Sequence, residues 1–485
     1  MKVMICYPPV YKSGRIPLLG QNRQFRYSSS GEVRIYPIVP STAATLLQQK
    51  GFQVEYLDGI NQRLSWEQFA QAVSAFQPDL VAMETKTPIV RTHWRITDQL
   101  KKEFPDTRFA LMGDHLSFSS EESLKNSQVD FVLTGGDYDV SLLRVANHLE
   151  NRENPLPKGV WYRDGQDIKN TGHFELVSSL DSLPFIDREL TKWWLYGEAY
   201  LHHPCTYIMW GRGCFPGKCT FCVWASNFWV CKPRLRSFGN VLDEIETLVD
   251  TLHVKEVFDD TDTGTWNKRW LSSLCDGLIR RGLNDRVHIS CNARADNLTR
   301  ETCKLIKKAG FRLLKVGLES GSDATLRRLA KEETIAQIRQ GVKNAKDEGL
   351  NVLLTIMVGY PWETEEDAKT TLKVAQELML YKTHVGDSLQ ASVVVPYPGT
   401  PLYYESLKND WFQINPHDYE AFDMSSPPLK SPMGSQTIME YCDSLWRIHQ
   451  HPMFVLKTLL SAFSFDDLRL LWQGLKSVRG HTKDF

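Results

Sequence analysis

Three thiols crowd one short stretch of the chain. In "GRGCFPGKCTFCVW", Gly211 to Trp224, a Cys-x-x-Cys pair (Cys219, Cys222) follows a third cysteine, Cys214, across Phe-Pro-Gly-Lys. That spacing brings three thiolates round one point, as a metal ion or an iron–sulfur cluster requires. A structural zinc site closes with four ligands, and Cys205 or Cys231 could supply the fourth thiolate of a zinc knuckle. The second cysteine pair of a zinc ribbon is missing. A [4Fe–4S] cluster on three cysteines leaves one iron open, and an open iron can bind and reduce a substrate. The count of three is what any reading must explain.

The elements around this loop set its context. The chain has 485 residues, enough for two to four domains. Its 57 basic and 58 acidic side chains nearly cancel, so no global field favours nucleic acid or a membrane surface. No apolar run approaches the roughly 18–20 residues of a spanning helix. The start, "MKVMICYPPV", lacks the pattern of a signal peptide. Ten cysteines over this length do not form a secreted disulfide framework. The expected setting is the cytoplasm, with the cysteine cluster reserved for chemistry.

The first 150 residues alternate strands ("KVMICY", "QVEYLD", "DLVAME", "RFALMG", "VDFVLTGG") with helices such as "STAATLLQQKGF", for which Ser41 is the expected N-cap. A polar insertion, about 12–36, follows the first strand. This rhythm predicts a doubly wound parallel sheet with its ligand beyond the strand C-termini. Residues 151–200 are turn-rich and read as a connector. A second α/β series over 201–410, about six units, predicts a partial or complete parallel barrel, and residues 411–485 read as a small helical C-terminal region. The cysteine loop, Asp259-Asp260, Glu319-Ser320, Gly359 and Pro396 all fall at strand C-terminal ends, where barrel chemistry collects.

With that order in place, the sequence resembles the radical S-adenosylmethionine superfamily. The usual signature spaces its cysteines by three and then two residues, with an aromatic before the last. Here "CTFC" keeps the second half with Phe221 in the aromatic position, and one extra residue separates Cys214 from Cys219. The resemblance implies that Cys214, Cys219 and Cys222 hold a [4Fe–4S] cluster. Its open iron would chelate the amino and carboxylate groups of S-adenosylmethionine, whose cleavage gives a 5′-deoxyadenosyl radical. "FDDTDTG" takes the place of the family's Gly-Gly-Glu stretch near the methionine amino group, with Asp259 and Asp260 in that role but neither glycine. "GLESGS" matches the fourth-strand ending, with Glu319 and Ser320 facing the cofactor. "MVGYPWETEED", containing Gly359, has Trp362 where the family has a glycine, and "VVPYPGTPLY", containing Pro396, matches the sixth-strand motif near the adenine.

Residues 1–150 resemble the cobalamin-binding domain that precedes the radical module in one large subfamily, through "MKVMICYPP", "GFQVEYLDG", "PDLVAMETKT", "FPDTRFALMGDH" and "VDFVLTGGDYDV". "MGDH" and "TGGD" stand for Gly-Gly-x-His and Gly-Glu-Gly-Glu, with Asp137 in an acidic position. The pattern Asp-x-His-x-x-Gly is absent, which implies cobalt without a protein histidine beneath it. Methylthiotransferases carry three cluster cysteines in their first domain; residues 1–204 here hold only Cys6. The hopanoid-modifying and anaerobic magnesium-protoporphyrin ester cyclase-like members are similar throughout.

The resemblance implies an enzyme that uses cluster, S-adenosylmethionine and cobalamin to modify an unactivated carbon of a small molecule, most commonly as a C-methyltransferase. The alternative is cyclisation or rearrangement without net methyl transfer, and a non-catalytic cobalamin- or metal-binding module is the reading from another class. An electron donor such as flavodoxin or ferredoxin is implied. No general acid or base can be named. An apolar tail and fourteen tryptophans, including "KWWLY" and "VWASNFWV", tilt the substrate toward a lipid or tetrapyrrole, although such aromatics are more often core. His202, His203, His449 and His451 have no companions at ligand spacing, and no basic–aromatic interleaving points to nucleic acid.

Overall fold

Short apolar strands separated by amphipathic helices build two parallel sheets. The computed structural model describes residues 1–19, 25–28, 33–230 and 232–481. In the first sheet β1 (Lys2–Tyr7), β2 (Gln53–Asp58), β3 (Leu80–Glu84), β4 (Arg108–Met112) and β5 (Phe131–Leu133) run parallel in the order β5-β4-β3-β1-β2. β3 is buried along its whole length, as a strand covered by helices on both faces must be. The order reverses between β1 and β3, so the ligand crevice of such a sheet lies beyond Tyr7 and Glu84.

Two details differ from the sequence reading. The helix expected to start at Ser41 spans Ile38–Gln49; Ser41 is buried inside it and donates its backbone N–H to Pro37 O at 3.0 Å. Pro40 is tolerated there because the first turn of a helix has no partner for its N–H. The segment read as a connector adds a hairpin to the first sheet: β6 (Val160–Asp164) pairs antiparallel with β5, and β7 (Asp167–Asn170) antiparallel with β6. Gly165, with φ +63°, makes its turn.

The second sheet follows chain order: β8 (Cys205–Ile208), β9 (Glu256–Asp259), β10 (His288–Ala293), β11 (Phe311–Glu319), β12 (Asn351–Val358) and β13 (Ser388–Val393), all parallel. β8 and β13 are its two edges, so the sheet curls into a half-barrel rather than closing. One flank is covered by a short antiparallel pair, Val33–Arg34 with Gly197–Glu198, which joins the insertion after β1 to the end of the connector. The tail helix Gly434–Trp446 lies on the other flank, where Trp446 Nε1 donates to Ala391 O of β13 at 3.0 Å. Further tail helices span Pro452–Leu460 and Phe465–His481; among the described residues no helix is long and apolar enough to cross a membrane.

Candidate functional site

The cysteine loop leaves β8 through a set of backbone anchors. Asp259 Oδ1 accepts the Trp210 N–H at 3.0 Å, Thr261 Oγ1 accepts that of Gly211 at 2.9 Å, and Asp262 Oδ2 that of Gly213 at 3.1 Å. Gly213 and Gly217 take left-handed φ values of +91° and +68°, turning the chain before and after Cys214. Cys214, Cys219 and Cys222 all open on one cavity of about 230 Å³, bounded by the half-barrel and its flanking segments. Cys214 Sγ stands 3.2 Å from Thr263 Oγ1. Burial pushes the Cys219 thiol up to about 11, against the pull of Lys331, and that of Cys222 to about 12.

Among the described residues no group of three His, Cys, Asp or Glu side chains stands close enough to hold a single metal ion. A four-iron cluster spreads its ligands and asks instead for three thiols on one wall, which this loop provides. Cys205 opens β8 at the end remote from the loop, and Cys231 lies outside the described residues.

The strand ends carry the rest of the wall. Glu319 lines the cavity at a register shift between β11 and β12 and takes φ +60°, rare for a residue with a side chain. Strain of this kind gathers at functional sites, where surrounding structure holds it. Burial raises the Glu319 carboxyl, opposed by Lys331 at 3.6 Å, and Lys331 also meets Glu333 at 3.2 Å. Arg294 completes the group, paired with Asp296 at 2.9 Å and Glu333 at 3.7 Å. Gly317 sits between: a Cβ there would lie 2.2 Å from Glu319 Oε1.

The other sequence candidates divide. Phe221 lines the cavity. Asp259 and Asp260 do not; Asp259 Oδ1 accepts from Trp210 and Thr261, and Asp260 receives Asn292 Nδ2 at 3.2 Å. Two residues on, Asp262 and Thr263 face the cavity in their place. Ser320 is buried and accepts the Ser322 N–H at 3.2 Å, turned into its own loop. Gly359 (φ +98°) packs beside Ile438, and its N–H donates to Glu363 Oε2 at 2.6 Å. Val395 and Tyr397 reach the cavity on either side of Pro396, which does not. Glu198, Asn292, Lys315, Thr355, Gln390 and Trp446 also line it without having been singled out from sequence. Of the aromatic runs, Trp224 and Trp229 pack edge to face at 5.0 Å away from the cavity, and Trp194 is exposed. His202 and His449 serve local hydrogen bonds, to Glu256 and around Leu389.

The first sheet turns its C-terminal rim to the same loop. Arg212, two residues before Cys214, is buried and donates to Asp137 at 2.9 Å and to Asp139 at 2.6 Å; Arg234 reaches Asp137 at 2.6 Å. Burial alone would raise the Asp137 carboxyl, but Arg212 and Arg234 outweigh it and hold it near about 2. The N–H of Gly136 donates to Phe228 O at 3.1 Å, and a Cβ on Gly136 would strike Trp229 Nε1 at 2.3 Å. A Cβ on Gly113 would lie 2.1 Å from Thr85 O, so the rim needs bare backbone there. Two buried polar atoms at this rim, Thr85 Oγ1 and His115 Nε2, have no hydrogen-bond partner. These orphaned polar atoms fit a polar-edged ligand such as cobalamin, which Thr85 and His115 would help to hold.

Comparison with known proteins agrees with this division. Residues 208–375 match the radical SAM superfamily and residues 32–141 match the B12 binding domain. An uncharacterized methyltransferase of Pyrococcus horikoshii is 25% identical over 74% of this chain and 75% of its own length. The anaerobic magnesium-protoporphyrin IX monomethyl ester cyclase of Cereibacter sphaeroides is 26% identical over 79% of this chain but only 62% of its own. In fold, the chain superposes with a TM-score of 0.69 on TsrM, a radical S-adenosylmethionine methyltransferase from Kitasatospora setae solved with cobalamin and a [4Fe-4S] cluster bound, at 15% identity and 99% coverage of both chains. A cysteine loop at the mouth of a parallel half-barrel, tied to a B12-type sheet, thus has one consistent reading: the chain belongs to the radical S-adenosylmethionine enzymes that carry a B12-binding domain, with a [4Fe–4S] cluster, S-adenosylmethionine and cobalamin as its cofactors.

Proposed function

We propose that the protein transfers a methyl group to an unactivated carbon of a small molecule. The observation that carries this reading is the position of Cys214, Cys219 and Cys222 on one wall of a cavity whose mouth Arg212 ties to the rim of the B12-type sheet. The similarity to the Pyrococcus methyltransferase supports it. When bound, the cluster supplies reductive cleavage of S-adenosylmethionine and cobalamin supplies a methyl carrier.

The chain's own residues do the holding. Cys214, Cys219 and Cys222 ligate the cluster, and Phe221 lines the same cavity beside them. Glu319, Asp262 and Thr263 line the cavity beside that loop and take the amino-acid end of S-adenosylmethionine. Lys331 and Arg294 keep Glu319 and Glu333 charge-balanced inside the wall. Leu18, Val33 and Ile35 close the cavity from the insertion after β1 and keep water from a reactive radical. Net transfer replaces one substrate hydrogen by methyl. It takes two electrons from a donor such as flavodoxin or ferredoxin and leaves 5′-deoxyadenosine, methionine and S-adenosylhomocysteine from two molecules of S-adenosylmethionine. Such donors place the work in the cytoplasm.

The runner-up is cyclisation, favoured by the likeness to the Cereibacter cyclase. Product ratios separate the two. Methyl transfer gives S-adenosylhomocysteine and 5′-deoxyadenosine in equal amounts with substrate present; cyclisation gives 5′-deoxyadenosine without stoichiometric S-adenosylhomocysteine. The tilt toward a lipid or tetrapyrrole keeps the support of the Cereibacter cyclase likeness, but the tryptophans add little to it, since among the described residues Trp446 alone of them lines the cavity.

A further inference from the structure

The interior of the half-barrel is polar where it should be greasy. Parallel α/β barrels fill their interiors with layers of branched aliphatic side chains. Alternate residues of a strand share one face, and here the inward positions are Asn292 on β10, Lys315, Gly317 and Glu319 on β11, Thr355 and Met357 on β12, and Gln390 and Ser392 on β13. Register makes a belt of them: Asn292 lies beside Lys315, Gly317 beside Thr355, and Thr355 beside Gln390. Lys315 is four residues before Glu319, about 13 Å deeper at roughly 3.3 Å per residue. The belt therefore lies well below the cysteine loop and the amino-acid end of S-adenosylmethionine.

Its members are not used up by the fold. The side chains of Lys315, Thr355 and Gln390 make no hydrogen bond or ion pair among the described residues, although all three line the cavity. The neighbouring cations are committed: Lys331 to Glu319 and Glu333, and Arg294 to Asp296 and Glu333. Glu198 faces Lys315 from the flanking strand pair but spends Oε2 on Tyr207 at 2.9 Å; burial raises its carboxyl and the charge of Lys315 opposes that. Lys315, Thr355 and Gln390 are half-buried, with their polar ends open to the cavity, where a ligand could pair them.

We propose that this belt is the substrate seat, and that the substrate is a small water-soluble carboxylic acid whose carboxylate is taken by Lys315 while Thr355 and Gln390 bind its neighbouring polar groups. The proposal rests on the methyl-transfer reading for its assay but not for its geometry. A polycyclic lipid would leave Lys315, Glu198 and Gln390 desolvated and unpaired, which a small acid would not.

The test uses reconstituted holoenzyme with reductant and S-adenosylmethionine carrying a trideuterated methyl group. It is offered two fractions of an extract of its own host cells: water-soluble acids retained on an anion-exchange resin, and the organic-solvent extract. The expected result is a deuteromethylated product, with 5′-deoxyadenosine above the buffer control, from the acid fraction alone. Lys315→Met should lower kcat/KM for it by about ten- to a hundred-fold, the range of one lost charge-assisted hydrogen bond, and Lys315→Arg should recover part of that loss. Gln390→Leu, which touches no charge, is the second variant should Lys315→Met lose cluster or cobalamin, and it should raise KM more than it lowers kcat. A product in the organic fraction, no response to the acid fraction, or equal turnover by the Lys315→Met and native enzymes overturns the seat. A Lys315-dependent rise in 5′-deoxyadenosine with the acid fraction but no deuterium in any product keeps the seat and removes methyl transfer instead.

Discussion

Glu363 allows the coupling between a buried carboxyl and stability to be worked through. It follows β12 in the turn that begins at Gly359, and it is fully buried. Its Oε2 accepts the N–H groups of Gly359 at 2.6 Å and Tyr360 at 3.3 Å, while Oε1 has no partner. Burial raises its pKa from 4.5 to about 7, against the pull of those two N–H groups. Between those values the folded protein holds a proton that the unfolded chain has released. The stabilisation from the neutral carboxyl is therefore complete below about pH 4.5 and is lost as pH rises to about 7. At about 1.4 kcal/mol per pKa unit the difference is about 3 kcal/mol. Glu363→Gln keeps a carbonyl oxygen for the same two N–H groups and removes the charge. Anaerobic urea denaturation of the reconstituted variant should give a higher midpoint than the native protein at pH 8, by up to about 3 kcal/mol, with the gap closing toward pH 5. A pH-independent gap, or a variant less stable at pH 8, would refute the reasoning.

Three further outcomes follow from the site. Replacing Cys214, Cys219 and Cys222 together by Ala should abolish the broad iron–sulfur absorption near ~400 nm; a full cluster in that variant, or zinc after anaerobic reconstitution, would sink the ligand assignment. Arg212→Met leaves Asp139 without the cation it contacts at 2.6 Å, which should cost about 3–5 kcal/mol and lower iron content, with Arg212→Lys intermediate; native midpoints and iron content in the Met variant would show that the clamp holds nothing. Electron paramagnetic resonance of the bound cobalt(II) cobalamin should lack nitrogen superhyperfine splitting and be unchanged in His115→Ala, because His115 is wedged against Tyr419 at 4.6 Å with Nδ1 on Thr87 at 3.1 Å; splitting that disappears in the variant would make His115 a ligand.

The signals legible in the sequence were those that local order carries. The β–α rhythm, the cysteine spacing and the Gly-Leu-Glu-Ser ending of β11 each need only a few consecutive residues, and the structure places Cys214, Cys219, Cys222, Phe221 and Glu319 on one cavity. Position within "DDTDT" was not legible. Beyond the last paired residue of β9 the period-2 rule lapses, and which carboxylate faces the ligand is set by which ones the backbone consumes. Trp210 and Thr261 hold Asp259 through Oδ1 away from the cavity, while Asp262 anchors Gly213 and still reaches it. The closure of the flank was invisible for a different reason: Val33–Arg34 and Gly197–Glu198 pair across more than half of the first module's sequence, and neither strand is long enough to register as a pattern.

Lys315 is the instructive omission, because its signal was present. Along "LLKVGLES" alternation alone sets Lys315, Gly317 and Glu319 on one face, and assigning Glu319 to the cavity obliges Lys315 to lie in the same barrel, two inward positions deeper. A lysine on the inward face of a parallel barrel is an unusual packing residue, and here Lys315 is half-buried and opens on the cavity. Gly317 sharpens the point: the small residue between the two charges is what lets Glu319 Oε1 and Lys331 Nζ approach to where a Cβ would collide at 2.2 and 2.9 Å. One inward column thus holds a carboxylate for the rim, a glycine for clearance and a cation for depth. A fold that stabilised itself would have put Leu or Val at each of those positions, so this column is where stability was given up for binding.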